Sequence, residues 1–419
     1  MYITFHAIVI YILSFFGLFT SIVYFLTIKS PDKKEYVLDD KFRPKVSIII
    51  PIWNEGSAQG GRLKKTVDSL LNCDYPKNKL EIIIVNDGST DDSLKLAKEY
   101  ELFGVKILSN KVSQGKTIAI NEGLKHATGE LVAGLDADSF IEADVLNKLV
   151  PCFKDPQVMG AIPSIKIWKP KTFLQKVQFH EFLSAVFIRH LQSELGAIPL
   201  APGAFTLVRR KFVEEHGLLN ARTMVEDLEL SLRIQSHNYL IENVIDANVY
   251  TSGVVGLKAF VNQRLRWFYG FLIQIKRYKH LFSKDYGNLG VFILPTAVTF
   301  VFLTIALFFY AIIMLVYNAT HWIRGLYLIG FQLPNFQYSF DLFFISVSNT
   351  TIIPVILVIV ALVFVYYIKR ISGEKQNILV PFITFTFTYW LLGSFCWVLA
   401  LYYYIRKKKV KWGPNYFSS

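Results

Sequence analysis

Four stretches of the chain, residues 3–28, 287–320, 342–368 and 377–404, contain no Lys, Arg, Asp or Glu. Each is longer than the roughly 20 residues that cross a bilayer as a helix. Backbone in lipid must satisfy its own hydrogen bonds, so each is expected to be helical. The expectation is four spans: an N-terminal helix within residues 1–28 and a C-terminal membrane region over 286–405. Lys29 follows the first stretch with no small-residue cleavage site, which favours a retained anchor over a cleaved leader.

Residues 29–285 separate the first two spans and hold most of the charge, enough chain for one sizeable domain. Short loops rich in Lys and Arg stay in the cytoplasm. That rule puts 29–285 and Lys369–Lys375 inside, and the charge-poor loop 318–341 outside. The expected location is the cell membrane. One conflict stands: four spans leave the basic tail, residues 406–419 with Arg406-Lys407-Lys408-Lys409, on the outside. A break at Pro381 into a re-entrant pair, or another segment folding back, would remove it. The net charge of +13 fits a face near anionic lipid. The basic residues form no stripe interleaved with aromatics, so nucleic acid is not an expected partner.

Within 29–285 the first half alternates strand and helix signals. Lys45–Ile50, Leu80–Val85, Val105–Leu108 and Leu131–Leu135 read as buried strands. Residues 61–72, 91–100 and 118–126 read as helices. Repeated βα units imply an α/β fold with a mostly parallel sheet, whose ligands sit at the carboxyl ends of the strands. Asn54-Glu55, Asn86-Asp87, Asp136 and Asp138 fall there. Two carboxylates at one strand exit need a cation or open solvent. A hard divalent ion, Mg2+ or Mn2+ holding a diphosphate, answers that need, and so does a solvated Asx turn. Gly115-Lys116-Thr117 is not a phosphate loop, because Asn110 stands where that loop needs glycine. Lys116 either meets a diphosphate as a point charge or is a solvated lysine at a helix start. Asp227 opens an amphipathic stretch and by itself reads as an N-cap. Gln263-Arg264-Leu265-Arg266-Trp267 by itself reads as an interfacial basic-aromatic belt. Residues 174–191 and 257–282 are expected to lie at the membrane face as a collar, or else to be ordinary core-facing helices. Cys73, Cys152 and Cys396 are too far apart for a metal finger and read as free buried thiols.

Taken in order, these stations resemble the membrane-embedded processive synthases of glycosyltransferase family 2. Val46–Glu55 is similar to their first donor strand, and Asn86-Asp87-Gly88-Ser89 to their nucleotide-base turn. Asp136-Ala137-Asp138 matches their metal motif, Glu226-Asp227 the end of Thr-Glu-Asp, and Gln263-x-x-Arg266-Trp267 their Gln-x-x-Arg-Trp. The layout looks most like the poly-N-acetylglucosamine synthases. Trp53 stands where the family often has Tyr, and Val225 where it often has Thr.

The resemblance implies an A-type glycosyltransferase domain flanked by transmembrane helices. It implies an inverting transferase moving sugar from a nucleotide-diphosphate donor, a UDP-sugar, to a growing β-linked polysaccharide. It assigns Asp227 as general base, and Asp136 and Asp138 to the metal. Asp87, Lys116 and Asp136 fall to the donor, and Gln263, Arg266 and Trp267 to the diphosphate and acceptor. Tyr310, Tyr389 and Trp390 would line a polysaccharide path. The expected partners are donor, acceptor, membrane lipid and a small membrane accessory subunit. Single transfer to a lipid, a polyprenyl phosphate or diacylglycerol, uses the same donor site and stays open. A non-enzymatic transport or scaffold subunit with a degenerate domain is the third reading; the intact carboxylate set opposes it.

Overall fold

The computed structural model describes residues 5–28, 41–57, 60–329, 349–412 and 415–417. Helix α1 (Phe5–Ile28) precedes a βα series: β1 (Val46–Ile52), α2 (Arg62–Leu71), β2 (Leu80–Asp87), α3 (Ser93–Lys98), β3 (Lys106–Asn110), α4 (Lys116–His126) and β4 (Leu131–Leu135). Next come β5 (Phe140–Ile141), α5 (Val145–Leu149), β6 (Val158–Ile167), α6 (Phe173–Glu194), β7 (Phe205–Arg209), α7 (Arg210–His216), α8 (Glu226–Ser236), β8 (Leu240–Thr251) and α9 (Leu257–Arg277). Helices α10 (Leu294–Ile329), α11 (Asn349–Ile371) and α12 (Leu379–Ile405) follow, then a hairpin of β9 (Val410–Trp412) and β10 (Asn415–Phe417).

Eight strands form one sheet in the order β3-β2-β1-β4-β7-β6-β8-β5. Strands β1 to β4 are mutually parallel, and β7 runs against both β4 and β6. Every residue of β1 is buried, as expected for a strand with helices on both faces. Its side chains alternate as the pleat requires. Ile48, Ile50 and Ile52 pack with Leu63, Val67 and Leu70 of α2 and with Val145 and Leu149 of α5. Ile49 faces the other way, toward Ala119 of α4, Phe212 of α7 and Ile234 of α8. The three cysteines are free and buried.

Helix α12 packs along both α6 and α9. Three helical stretches, Ala7–Ile28, Leu289–Leu328 and Leu379–Ile405, are long and apolar enough to cross a membrane. Helix α11 accounts for the described part of the remaining charge-free stretch; residues 342–348 lie outside the described residues. The expected outer loop 318–341 is partly helix, because α10 continues to Ile329; residues 330–341 lie outside the described residues.

Pro381 does not divide the last segment. It is the third residue of an unbroken α12, within the first turn, where backbone N–H groups have no intrahelical acceptor and the proline ring is tolerated. Both ends of α12 rest on the α/β domain. Ile378, just before it, packs with Ile167 and Phe179. Past its other end, Val410 packs with Val225 and Tyr269, and Tyr269 Oη donates to the Lys408 carbonyl at 3.4 Å.

Candidate active site

Antiparallel pairing places the start of β7 beside the end of β4, with Phe205 opposite Leu135. The turn after β4 and the loop before β7 are therefore neighbours, and the Asp136 N–H donates to the Ala204 carbonyl at 3.2 Å. Helix α4 begins at Lys116 on the same side. Its Nζ lies 2.5 Å from Asp136 Oδ1 and 3.5 Å from Glu226 Oε1, and donates to the Gly203 carbonyl at 3.2 Å. Lys116 is not a solvated lysine. Burial alone would lower its pKa, but Asp136, Glu226 and Asp227 outweigh burial and hold it above the usual lysine range.

Asp227 is not an N-cap. Val225 occupies that position in α8 and Asp227 is the second helical residue. Its Oδ1 accepts from the Leu228 N–H at 2.8 Å. Burial, then the adjacent Glu226, raise its carboxyl above the usual range, while Lys116 and Arg266 oppose the rise. Gly203 lies against this carboxylate: a Cβ there would stand 2.7 Å from Asp227 Oδ2.

Arg266 reaches the same centre from α9. Burial lowers its pKa, and the negative charges of Glu226, Asp227 and Asp136 oppose that drop. Its Nη1 donates to the Met224 carbonyl at 3.2 Å. Val225, the departure from threonine, is buried against α9, where a Cβ on Gly270 would come within 2.6 Å of its methyls. The apolar side chain thus fastens the start of α8 to the helix that carries Arg266.

Across the cleft, burial and then Asp136 push the Asp138 carboxyl up to about 6. Burial and then Asp138 push Glu55 up to about 7. Glu55 Oε2 is buried with no hydrogen-bond partner among the described residues. Such mutual repulsion between hard oxygen donors fits a divalent cation. Among the described residues no three His, Cys, Asp or Glu side chains converge tightly enough to hold a metal. Magnesium, however, commonly takes one or two carboxylates and completes its shell with water and substrate phosphate. Asp136 and Asp138 suit that arrangement.

Asp87 is held from within the domain. Its buried carboxylate accepts from Asn110 Nδ2 at 3.2 Å, Ser113 Oγ at 2.7 Å, and the N–H groups of Gln114 and Gly115 at 3.0 and 2.8 Å. It therefore ties down the loop that leads into Lys116. Gln263 and Trp267 are both held by Arg264: Nη1 donates to Gln263 Oε1 at 2.9 Å, and the guanidinium carbon lies 4.2 Å from the Trp267 ring centroid. Tyr389 is bonded to Glu181 of α6 at 2.9 Å, and Trp390 is exposed. Sequence reasoning gave no role to Glu55, Glu226 or Gly203. Glu226 borders Asp227 in the motif, and Glu55 follows the first strand, so both carried a weak signal. Gly203 opens Gly203-Ala204-Phe205-Thr206-Leu207, which resembles the poly-N-acetylglucosamine synthases, but nothing local pointed to its contact with Asp227, 24 positions along the chain.

The fold and cleft define a glycosyltransferase of the A type, with two aspartates at the exit of one strand and a third carboxylate, Asp227, opposite. Residues 47–217 match the Glycosyl transferase family 2 model; this part of the chain is a family 2 glycosyltransferase domain. Over 405 residues the chain is 25% identical to poly-beta-1,6-N-acetyl-D-glucosamine synthase of Staphylococcus epidermidis, covering 95% of this chain and 93% of that protein. Over 274 residues it is 30% identical to beta-monoglucosyldiacylglycerol synthase of a Nostoc species, covering 61% and 57% of the two chains. The fold is shared with mannosyltransferase PcManGT from Pyrobaculum calidifontis, solved in complex with GDP-Man and Mn2+, with a TM-score of 0.63 at 19% identity over 96% of this chain and 98% of that one.

Proposed function

We propose that the chain is an inverting membrane glycosyltransferase that extends a β-linked polysaccharide from a UDP-sugar donor. The observation that carries this reading is the convergence of Lys116, Asp136, Glu226 and Asp227 at one point. Similarity to a polysaccharide synthase over nearly the whole chain supports the product class.

Asp136 and Asp138 would hold Mg2+ or Mn2+, which when bound supplies Lewis-acid stabilisation of the departing nucleoside diphosphate. Lys116 and Arg266 add positive charge toward the same phosphates, the guanidinium through its planar donors. Asp87 acts by fixing loop 110–115, which presents Lys116. Asp227 takes the proton of the acceptor hydroxyl; a base with a raised pKa is better matched to neutral pH. That hydroxyl attacks the anomeric carbon from the face opposite the leaving group. Asp227 acts as base rather than as nucleophile, so no covalent sugar intermediate forms and the configuration inverts. Gln263 and Trp267 fit the acceptor side.

Helices α1, α10 and α11 would cross the membrane, and α12 would lie along α6 and α9 at its inner face. Both ends of α12 then stay with the catalytic domain, and the basic tail remains in the cytoplasm with it. Maleimide labelling of Lys408→Cys in sealed cells tests this: labelling by an impermeant reagent would contradict it.

Transfer to diacylglycerol is the second reading. The glucosyldiacylglycerol synthase relative favours it, as does an apolar cavity of about 590 Å³ between α6, α9 and α12, lined by Phe173, Leu174, Leu257, Phe387 and Leu391. Purified protein given a panel of labelled nucleotide sugars, with Mn2+ or with chelator, separates the two. Label confined to a small organic-soluble lipid rejects the polysaccharide reading.

A further inference from the structure

Arg264 is fully buried, with 0% of its surface exposed. A buried guanidinium is costly unless paired and hydrogen-bonded. Here it is paired across helices. Nη2 bonds to Glu181 Oε2 of α6. The guanidinium carbon lies over the Phe260 ring at 4.5 Å and the Trp267 ring at 4.2 Å. The other oxygen of Glu181 accepts from Tyr389 Oη of α12 at 2.9 Å. One ion pair therefore joins three helices and touches Gln263 and Trp267 together.

We propose that Glu181, Arg264 and Tyr389 are positioning residues that set Gln263 and Trp267 for the acceptor sugar and couple that setting to α12. The inference rests on the reading of this cleft as a glycosyltransferase site. Packing alone does not require such a group, because apolar side chains of similar volume hold helices together as well as a buried ion pair. The polar set does what an apolar set cannot. By donating to Gln263 Oε1 it fixes which way the amide points, leaving Nε2 to donate to a sugar oxygen. By covering one face of Trp267 it fixes the ring plane. Helix α12 is registered to the same pair, and Trp397 stacks on Phe268 of α9 at 4.0 Å with the rings 2° from parallel. A displacement of α12 is thus felt one turn from Arg266.

The full-length protein in detergent tests this. Wild type is assayed with UDP-N-acetylglucosamine and UDP-glucose on two acceptors, a β-linked N-acetylglucosamine oligosaccharide and dioleoylglycerol. The pair that gives product is used for every variant. Tyr389→Phe removes one hydroxyl, Glu181→Gln keeps a hydrogen-bonding shape without charge, and Arg264→Lys keeps charge without the planar fork. Expected are an acceptor KM raised about 10-fold in Tyr389→Phe and kcat lowered about 100-fold in Arg264→Lys, the scale of a misplaced reacting group. Donor KM should stay as in wild type, and donor hydrolysis by water should rise relative to transfer. Unchanged acceptor KM and hydrolysis-to-transfer ratio in folded Tyr389→Phe and Glu181→Gln overturn the proposal. So does an equal loss on donor and acceptor that follows the melting temperature. Product on dioleoylglycerol alone rejects the polysaccharide reading and leaves these comparisons intact. No product from any pairing in wild type, with the fold intact, overturns both.

Discussion

Lys116 Nζ lies 2.5 Å from Asp136 Oδ1. The ammonium of the first residue of α4 thus offsets Asp136, and at 3.5 Å it also meets Glu226 beside Asp227, the proposed base. In the proposed reaction the donor side and the acceptor side share this cation. Its removal should be felt at both.

Lys116→Met leaves Asp136, Glu226 and Asp227 without that charge. Lys116 lowers the Asp227 pKa, so its loss raises that pKa further. The acid limb of the pH–rate profile moves to higher pH, and kcat falls on the order of 100-fold. An acid limb that stays in place would show that Asp227 does not sense Lys116.

Asp227→Asn removes the proposed base and keeps its shape. The expected loss in kcat is about 100- to 10,000-fold, with donor affinity close to wild type by nucleotide titration. Glu226→Gln acts in the opposite sense to Lys116→Met. Glu226 raises the Asp227 pKa, so the acid limb shifts to lower pH.

Gly203→Ala introduces a Cβ 2.7 Å from Asp227 Oδ2, closer than unbonded atoms tolerate. The carboxylate has to turn. A kcat reduced by about 10- to 100-fold is expected from a misdirected base, while the melting temperature changes little. Loss of fold instead of loss of rate would contradict the placement.

The raised pKa values of Asp138, about 6, and Glu55, about 7, link pH to stability. Both exceed the unfolded carboxyl values of about 4, so the fold binds these protons more tightly. Their contribution is fully present below about pH 4 and is lost as pH rises through about 6 and then about 7. A divalent cation answers the same repulsion once the protons leave. Mn2+ should therefore raise the melting temperature more at about pH 8 than at about pH 5.5. Equal shifts at the two pH values would argue against Asp136 and Asp138 as its ligands.

Strands β1 to β4 were legible because each is a short buried run between turn residues, and local pattern suffices for that. Asp136, Asp138 and Asp227 stand out in the sequence because they lie at element ends in the order the resemblance requires, and the tertiary structure sets Asp136 and Asp227 around Lys116. The hydrogen-bond partners of Asp87 were not legible. Its oxygens face a loop 23 to 28 residues further on, and no local signal states which donors a carboxylate will meet. Glu181 and Tyr389 were invisible as partners, since 208 positions separate them.

The sequence by itself determined the alternation of strands and helices, the charge-free membrane segments and the residue types at the cleft. Each is written in neighbouring residues through periodicity, burial and charge. Only the tertiary structure decided that Lys116 bridges Asp136 and Glu226, that Asp227 is a helical residue and not a cap, and that α12 returns both ends to the domain. Those outcomes depend on which distant surfaces meet when the core closes, and the energy of an ion pair or a packed face exists only after they have met.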